Sequence, residues 1–364
     1  MMQHGDGAID KMKHFNSVIL AGILAGMTAV SVPALADVAD GSLGSGKKAQ
    51  SRSMEKFPDR PLKLRQAPKR GDVAARSAGG PRSLPEDDDA FSLVRKNAKG
   101  EVTKRPPSDA IKQGIRDGRR ADASAVTEDE TEEARAIVGR DDRIRLDNAY
   151  DYPFSATGML LVSFKGDDSV YACSAALVGP ATVITTAFCI YDHELQDPWY
   201  DKASFWPGLN GEDYYDGAFA SEGEVLNGWI SNYDGTYGSV WDYDVALLNL
   251  EQPVGDDVGW FGSKPYTARK GFDANLAGYL KEDSNRMWRS KCRVGKGDIG
   301  EIDIIHTCDA DDAARAYGAP LFIFHGDDKP RQLVGFNQGA ADDNSNWAMK
   351  VDNMIANWIG EFSR

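Results

Sequence analysis

From Ile144 to the C-terminus the chain is cut into short apolar runs separated by clusters of Gly, Pro, Asp and Asn. This rhythm limits the fold more than any other feature. The runs span 158–164, 170–178, 182–185, 223–230, 245–250, 274–280, 287–294, 301–306, 320–324 and 332–336. Each is too short for an ordinary helix, and many short strands at such spacing predict an all-β barrel or sandwich. The last segment breaks the pattern. Val351, Met354, Ile355, Trp358, Ile359 and Phe362 recur at three- and four-residue intervals, which predicts a C-terminal amphipathic helix with one face on the β structure.

The aromatic residues mark where the packed part begins. All eight Trp and all thirteen Tyr lie from Tyr150 onward, whereas residues 37–139 hold only Phe57 and Phe91. A stretch so rich in Lys, Arg, Asp, Ser, Gly and Pro buries too little apolar surface to offset its ordering entropy, so 37–139 is expected to be disordered. Within it, 60–120 reads as a Pro- and charge-rich linker or pro-segment, and 127–136 as a short acidic helix. Charge divides at the same place. Residues 37–120 carry 20 Lys/Arg against 12 Asp/Glu (net +8), and residues 140–364 carry 19 against 36 (net −17). So acidic a domain is a poor partner for nucleic acid or anionic lipid. The acidity serves solubility, or receives the basic arm or another partner.

Lys11, Lys13 and His14 precede an apolar run at 18–30, and Ala34-Leu35-Ala36 supplies the small residues a signal peptidase needs. Residues 1–36 therefore read as a signal peptide with Asp37 as the new terminus and no transmembrane segment in the mature protein. Met12 is an alternative start. Export makes the cysteines interpretable. Cys173 and Cys189 are 16 residues apart, as are Cys292 and Cys308. An even count in an oxidising compartment suggests two short-loop disulfides, each stabilising by about 3 kcal/mol in the chain-entropy model. A four-cysteine zinc site fits less well, because close C-x-x-C pairs are absent.

Several motifs in fixed order resemble the chymotrypsin-fold (trypsin-like) serine proteases, particularly the bacterial glutamyl-endopeptidase branch. Gly139-Arg140-Asp141-Asp142-Arg143 and Tyr152-Pro153-Phe154-Ser155-Ala156 look like the opening segment. Tyr171-Ala172-Cys173-Ser174-Ala175-Ala176-Leu177-Val178 is similar to the strand before the catalytic His. Val183-Ile184-Thr185-Thr186-Ala187-Phe188-Cys189 is similar to the pattern ending T-A-A-H-C, and Asp244-Val245-Ala246-Leu247-Leu248 to the strand bearing the catalytic Asp. Gly278-Tyr279 and Met287-Trp288 before Cys292 match the branch too. The resemblance runs from Ile137 onward. It implies two six-stranded antiparallel β-barrels and a C-terminal helix over residues 140–364.

The same alignment implies lost chemistry. Acyl transfer in this family needs a Ser nucleophile, a His base, a buried Asp that orients the His, and two backbone N–H donors for the oxyanion. The His position falls on Phe188, which has no proton acceptor. The family's G-D-S-G-S/G-P falls on Arg315-Ala316-Tyr317-Gly318-Ala319-Pro320, so Tyr317 stands at the nucleophile and Arg315 at the first glycine. An altered oxyanion hole follows at Arg315. Asp244 survives, and its expected role is structural, accepting backbone hydrogen bonds; Asp242 is the weaker alignment. Rescue is unpromising. His193 is five residues past Phe188, His306 and His325 belong to other segments, Ser174 reads as a packing residue, and the Tyr317 hydroxyl has an ordinary pKa near 10. Asn337 falls on the pocket-wall position where glutamyl endopeptidases carry His in a G-x-H motif, so glutamate selectivity does not transfer. That strand could still offer an edge to an extended peptide. The Asp pairs 167–168, 311–312, 327–328 and 342–343 lack the spacing of a calcium loop and read as solvated turns.

The sequence thus describes an exported, non-catalytic serine protease homologue that needs no cofactor or metal and acts by binding a protein or peptide. Two alternatives are a divergent active serine endopeptidase and an envelope protein that works through its N-terminal arm. The Phe188 and Tyr317 rings are expected to fill the cleft rather than line an open apolar surface.

Overall fold

The computed structural model describes residues 39–44, 62–63, 87–121, 140–267, 270–280, 285–310, 314–326, 329–342 and 345–363. The signal-peptide expectation and the acidic helix at 127–136 lie outside the described residues. In chain order the strands and longer helices are β1 (Leu62–Lys63), β2 (Leu93–Asn97), β3 (Val102–Arg105), α1 (Asp109–Ala121), β4 (Ile144–Arg145), β5 (Thr157–Phe164), β6 (Val170–Leu177), β7 (Thr182–Thr185), β8 (Tyr200–Pro207) and β9 (Ala218–Leu226). They continue with β10 (Ala246–Leu250), β11 (Phe272–Gly278), β12 (Trp288–Val294), β13 (Asp303–His306), β14 (Pro320–Ile323), β15 (Gln332–Asp342), β16 (Ser345–Lys350) and α2 (Asn353–Phe362). No helix among the described residues is long and apolar enough to cross a membrane.

Strands β5 to β10 close a six-stranded antiparallel barrel in the order β10-β7-β6-β5-β8-β9, with β9 pairing back onto β10. Strand periodicity divides the apolar residues of β5 between two cores. Leu160, Val162 and Phe164 point into the barrel, while Met159 and Leu161 join Trp206, Tyr279 and Met287 at the seam with the second sheet. The second sheet runs β13-β16-β15-β14-β11-β12, with β4 added outside β12. The second of the two expected barrels is less complete than the first. Among the described residues no backbone ladder joins β12 to β13, so the second barrel is open along that line. The Cys292–Cys308 disulfide ties β12 to the segment just past β13 and holds the gap. Cys173–Cys189 likewise ties β6 to the helical turn Ala187–Ile190. Both pairings are those suggested by the spacing.

Three further expectations change. The run at 223–230 is strand only to Leu226 and then turns helical over Asn227–Ser231. Strands β8 and β16 are not among the runs read from the sequence. The largest correction concerns the arm, since 37–139 is not disordered throughout. Ser42 bridges Trp260 and β1 pairs with β6. Asp89–Phe91 forms a 3-10 turn, β2 and β3 form a hairpin that extends the first sheet beyond β9, and α1 lies against α2. Ile111, Gly114 and Ile115 give α1 its inward face, and Ile111 and Ile115 are buried. Gly114 is required by close approach, because a Cβ there would stand 2.6 Å from the Met354 backbone nitrogen.

Candidate functional site

The site lies where the loop after β7, the loop before β10 and the turn before β14 meet. Phe188 sits in the helical turn after β7 and is fully buried, as are Tyr317 and Asp244. Asp244 Oδ1 accepts a 2.8 Å hydrogen bond from the Phe188 backbone N–H. The carboxylate therefore holds the main chain at Phe188. The Phe188 and Tyr317 rings meet edge to face, with centroids 5.3 Å apart and planes at 67°. Phe188 makes the same kind of contact with Tyr237 (5.5 Å, 74°), and Tyr317 with Trp241 (6.3 Å, 84°). Such T-shaped arrangements set a ring's positive edge against a neighbour's negative face and add about 0.5–1.5 kcal/mol beyond burial. The Phe188 and Tyr317 rings thus fill the space between the two loops that carry them, within one buried aromatic cluster.

Two glycines show how tightly Tyr317 is held. Gly318 has φ +80°, and a Cβ there would meet the Ser174 carbonyl oxygen at 2.2 Å. Gly339 has φ +111° and lies beneath the Tyr317 ring, where a Cβ would meet Cε1 at 2.6 Å. The ring therefore lies against Gly339, at the end of the stretch of β15 expected to offer an edge to a peptide. Asn337, expected on a pocket wall, braces the turn from inside. It is buried, and its Nδ2 donates 3.1 Å to the Ala316 carbonyl, bracing the turn that carries Tyr317. Nearby, Gln338 Nε2 donates 3.0 Å to the Trp241 carbonyl and fixes the other aromatic loop.

In the turn before β14, at the residue expected to alter the oxyanion hole, the Arg315 carbonyl accepts 2.6 Å from Ser174 Oγ, and the Arg315 side chain donates to Asn285 Oδ1 at 3.2 Å. Ser174 Oγ also accepts from the Tyr279 N–H at 2.9 Å. Ser174 is therefore a hydrogen-bonding stitch between the first barrel, the end of β11 and the nucleophile-position turn, rather than the packing residue expected. With its proton and a lone pair both engaged, it is poorly placed as a substitute nucleophile.

The three histidines among the described residues fall in three environments. The His193 ring stacks on Tyr233 with centroids 3.9 Å apart and 7° between planes, and contacts Trp229, Tyr237 and Tyr191. It belongs to the aromatic cluster that continues from Phe188. Spacing could have revealed this cluster, because Trp229, Tyr233, Tyr237 and Trp241 recur every fourth residue. His306 is buried in β13, and burial pushes its pKa down to about 4 against the opposing pull of Asn337 and the Cys308 and Trp347 backbone. His325 is exposed beside Gln332.

Donor atoms of Cys292, His306 and Cys308 lie within 4.8 Å of one another. The two sulfurs are bonded to each other, however, and a disulfide sulfur is not the thiolate that a metal takes as ligand, so this group does not fit a metal. Of the Asp pairs, Asp167 accepts from the Ser169 N–H and the Tyr171 hydroxyl, as in a turn. Asp311, Asp312, Asp327, Asp328 and Asp343 lie outside the described residues.

No family model matches the chain. It is 30% identical over 147 residues to the glutamyl endopeptidase of Bacillus licheniformis, covering 40% of this chain and 42% of that protein. It is 26% identical over 163 residues to a Bacillus subtilis protein named extracellular metalloprotease, covering 44% of this chain and 50% of that protein. The chain thus spans half the length, or less, of the curated relatives it matches. A solved structure of a Glu endopeptidase in complex with MPD aligns over 62% of this chain and 99% of its own, with a TM-score of 0.51 and 20% identity. That match shows a chymotrypsin-like fold. With the glutamyl endopeptidase similarity, it supports the chymotrypsin-fold serine protease family.

Proposed function

We propose that this chain is an exported, non-catalytic serine protease homologue that acts by binding a protein or peptide. One observation carries this reading: the edge-to-face contact of Phe188 with Tyr317 where base and nucleophile would stand. A phenyl ring cannot take a proton, so it cannot activate the Tyr317 hydroxyl as a general base would. Asp244 holds the backbone of Phe188, so its role needs no catalytic partner. Two disulfides and relatives that include an extracellular protease suggest an extracellular or periplasmic location.

Because the protein's own rings fill the cleft, the partner is read on a surface outside it and not as a substrate-like segment inside it. The test has two arms. The full chain is incubated with a diverse peptide library and cleavage is read by mass spectrometry; no cleavage above a heat-treated control is expected. In parallel, chemical cross-linking to captured envelope proteins should place contacts away from residues 188 and 317. Turnover that persists through repurification would sink the reading.

A further inference from the structure

Glu224, in β9, is a carboxylate with no exposed surface. Leaving such a group without charged partners is strongly unfavourable. Arg95 Nε lies 3.2 Å from Oε1, Arg105 Nε lies 3.2 Å from the same oxygen, and Arg105 Nη2 lies 3.3 Å from Oε2. Trp358 Nε1, from α2, donates to Oε2 at 2.7 Å. Among the described residues, both cations that neutralise Glu224 come from the N-terminal arm, and the rest of the domain supplies only the indole.

The surrounding contacts are those of a core. The β2 ladder pairs Leu93 with Leu226 through Asn97 with Glu222, covering the edge of β9. Phe91, Leu93 and Ile111 are fully buried, and the Phe91 ring packs edge-on to Tyr243, next to Asp244, at 5.9 Å. Asn227 N–H donates to the Ser92 carbonyl at 2.7 Å, and Asn357 Nδ2 to the Ala110 carbonyl at 2.8 Å. Removing residues 87–121 would uncover a β edge, an apolar face of α2 and an unneutralised buried carboxylate together.

We infer that residues 87–121 are a permanent structural element of the working domain and not a removable pro-segment. The domain that functions is therefore larger than residues 140–364. If the chain is cut within 122–139, two polypeptides remain in one fold. This holds whether or not the site turns over peptide, so it stands or falls separately from the proposed function.

The test uses the folded full chain with a specific protease site inserted within 122–139. After cutting, size-exclusion chromatography with intact-mass detection should find the arm and residues 140–364 in one peak at equal molar amounts. Arg95→Met/Arg105→Met, which keeps the apolar stems and removes the charges, should lower the melting midpoint by roughly 10 °C. Adding Glu224→Gln to that variant should recover more than half of the loss, because the buried charge is then gone. An arm that elutes apart from a barrel with an unmoved midpoint overturns the inference. So does a double variant that melts like the parent.

Discussion

Two carboxylates are buried in the same barrel and are held in opposite ways. Asp244 is held by a main-chain dipole, the backbone N–H of Phe188, 56 residues earlier in the chain. Glu224 is held from a distance, by two guanidinium groups more than a hundred residues earlier in the chain and an indole more than a hundred later. The contrast shows what each region keeps. Around Asp244 the neighbours are aromatic rings, and a backbone N–H engages one carboxylate oxygen. At the arm junction a charge remains buried, and a remote segment is bound to the fold by it.

The largest effects should be similar in size and different in remedy. Phe188→Ala and Arg95→Met/Arg105→Met should each cost about 3–5 kcal/mol in denaturant unfolding, the first by opening a cavity and the second by stranding a charge. Glu224→Gln should relieve only the second. Relief of Phe188→Ala by the same change would erase the distinction. Gly114→Ala comes next, at about 1–3 kcal/mol. Alanine is the better helix former, so a loss measured there can come only from α1 being pushed off the α2 backbone.

The two acids separate again under milder changes. Asp244→Ala should cost about 1–3 kcal/mol by leaving the Phe188 N–H unsatisfied. Asp244→Asn retains an acceptor oxygen and should stay within about 1 kcal/mol. A loss as large as that of the double arginine variant would mean that the Asp244 charge itself is needed.

The smallest effect concerns pH. Asp352 caps α2 by accepting from the Ile355 N–H, and burial pushes its pKa up to about 6. A raised carboxyl pKa favours the folded state at low pH, and that benefit is lost as pH rises from 3.8 through 6. His306, pushed down to about 4, acts the other way, because its benefit is full above 6.5 and lost as pH falls through 4. The slopes that these two groups contribute oppose each other between pH 6.5 and 4. His306→Asn should gain stability relative to the parent as pH falls across that window. Parallel curves would show that burial at His306 is not what the structure implies.

How much was legible in the sequence depended on the range of the interaction. The closed barrel, α2, both disulfides and the positions of Phe188, Asp244 and Tyr317 rest on local period or fixed motif order, and all were readable. The arm was misread because composition treats Arg95 and Arg105 as solvated charges, and nothing local reveals that they meet Glu224. Six apolar residues, Ala90, Phe91, Leu93, Val94, Ile111 and Ile115, suffice there because the receiving surface supplies the rest of the core. Strand β8 was hidden by Asp201 and Lys202 at its start, although Ser204, Phe205 and Trp206 behind them are buried. Asn337 was placed on a pocket wall by analogy with a histidine that this chain does not carry at that position; its bond to Ala316 depends on the turn that carries Tyr317.

The most direct measurement is labelling of the folded full chain with a fluorophosphonate serine-hydrolase probe, read by intact mass beside an active serine protease treated identically. With Phe188 at the base position and Tyr317 at the nucleophile position, the chain should remain unmodified while the control gains one adduct. One adduct per chain on a serine, lost after heat denaturation, would contradict the non-catalytic reading.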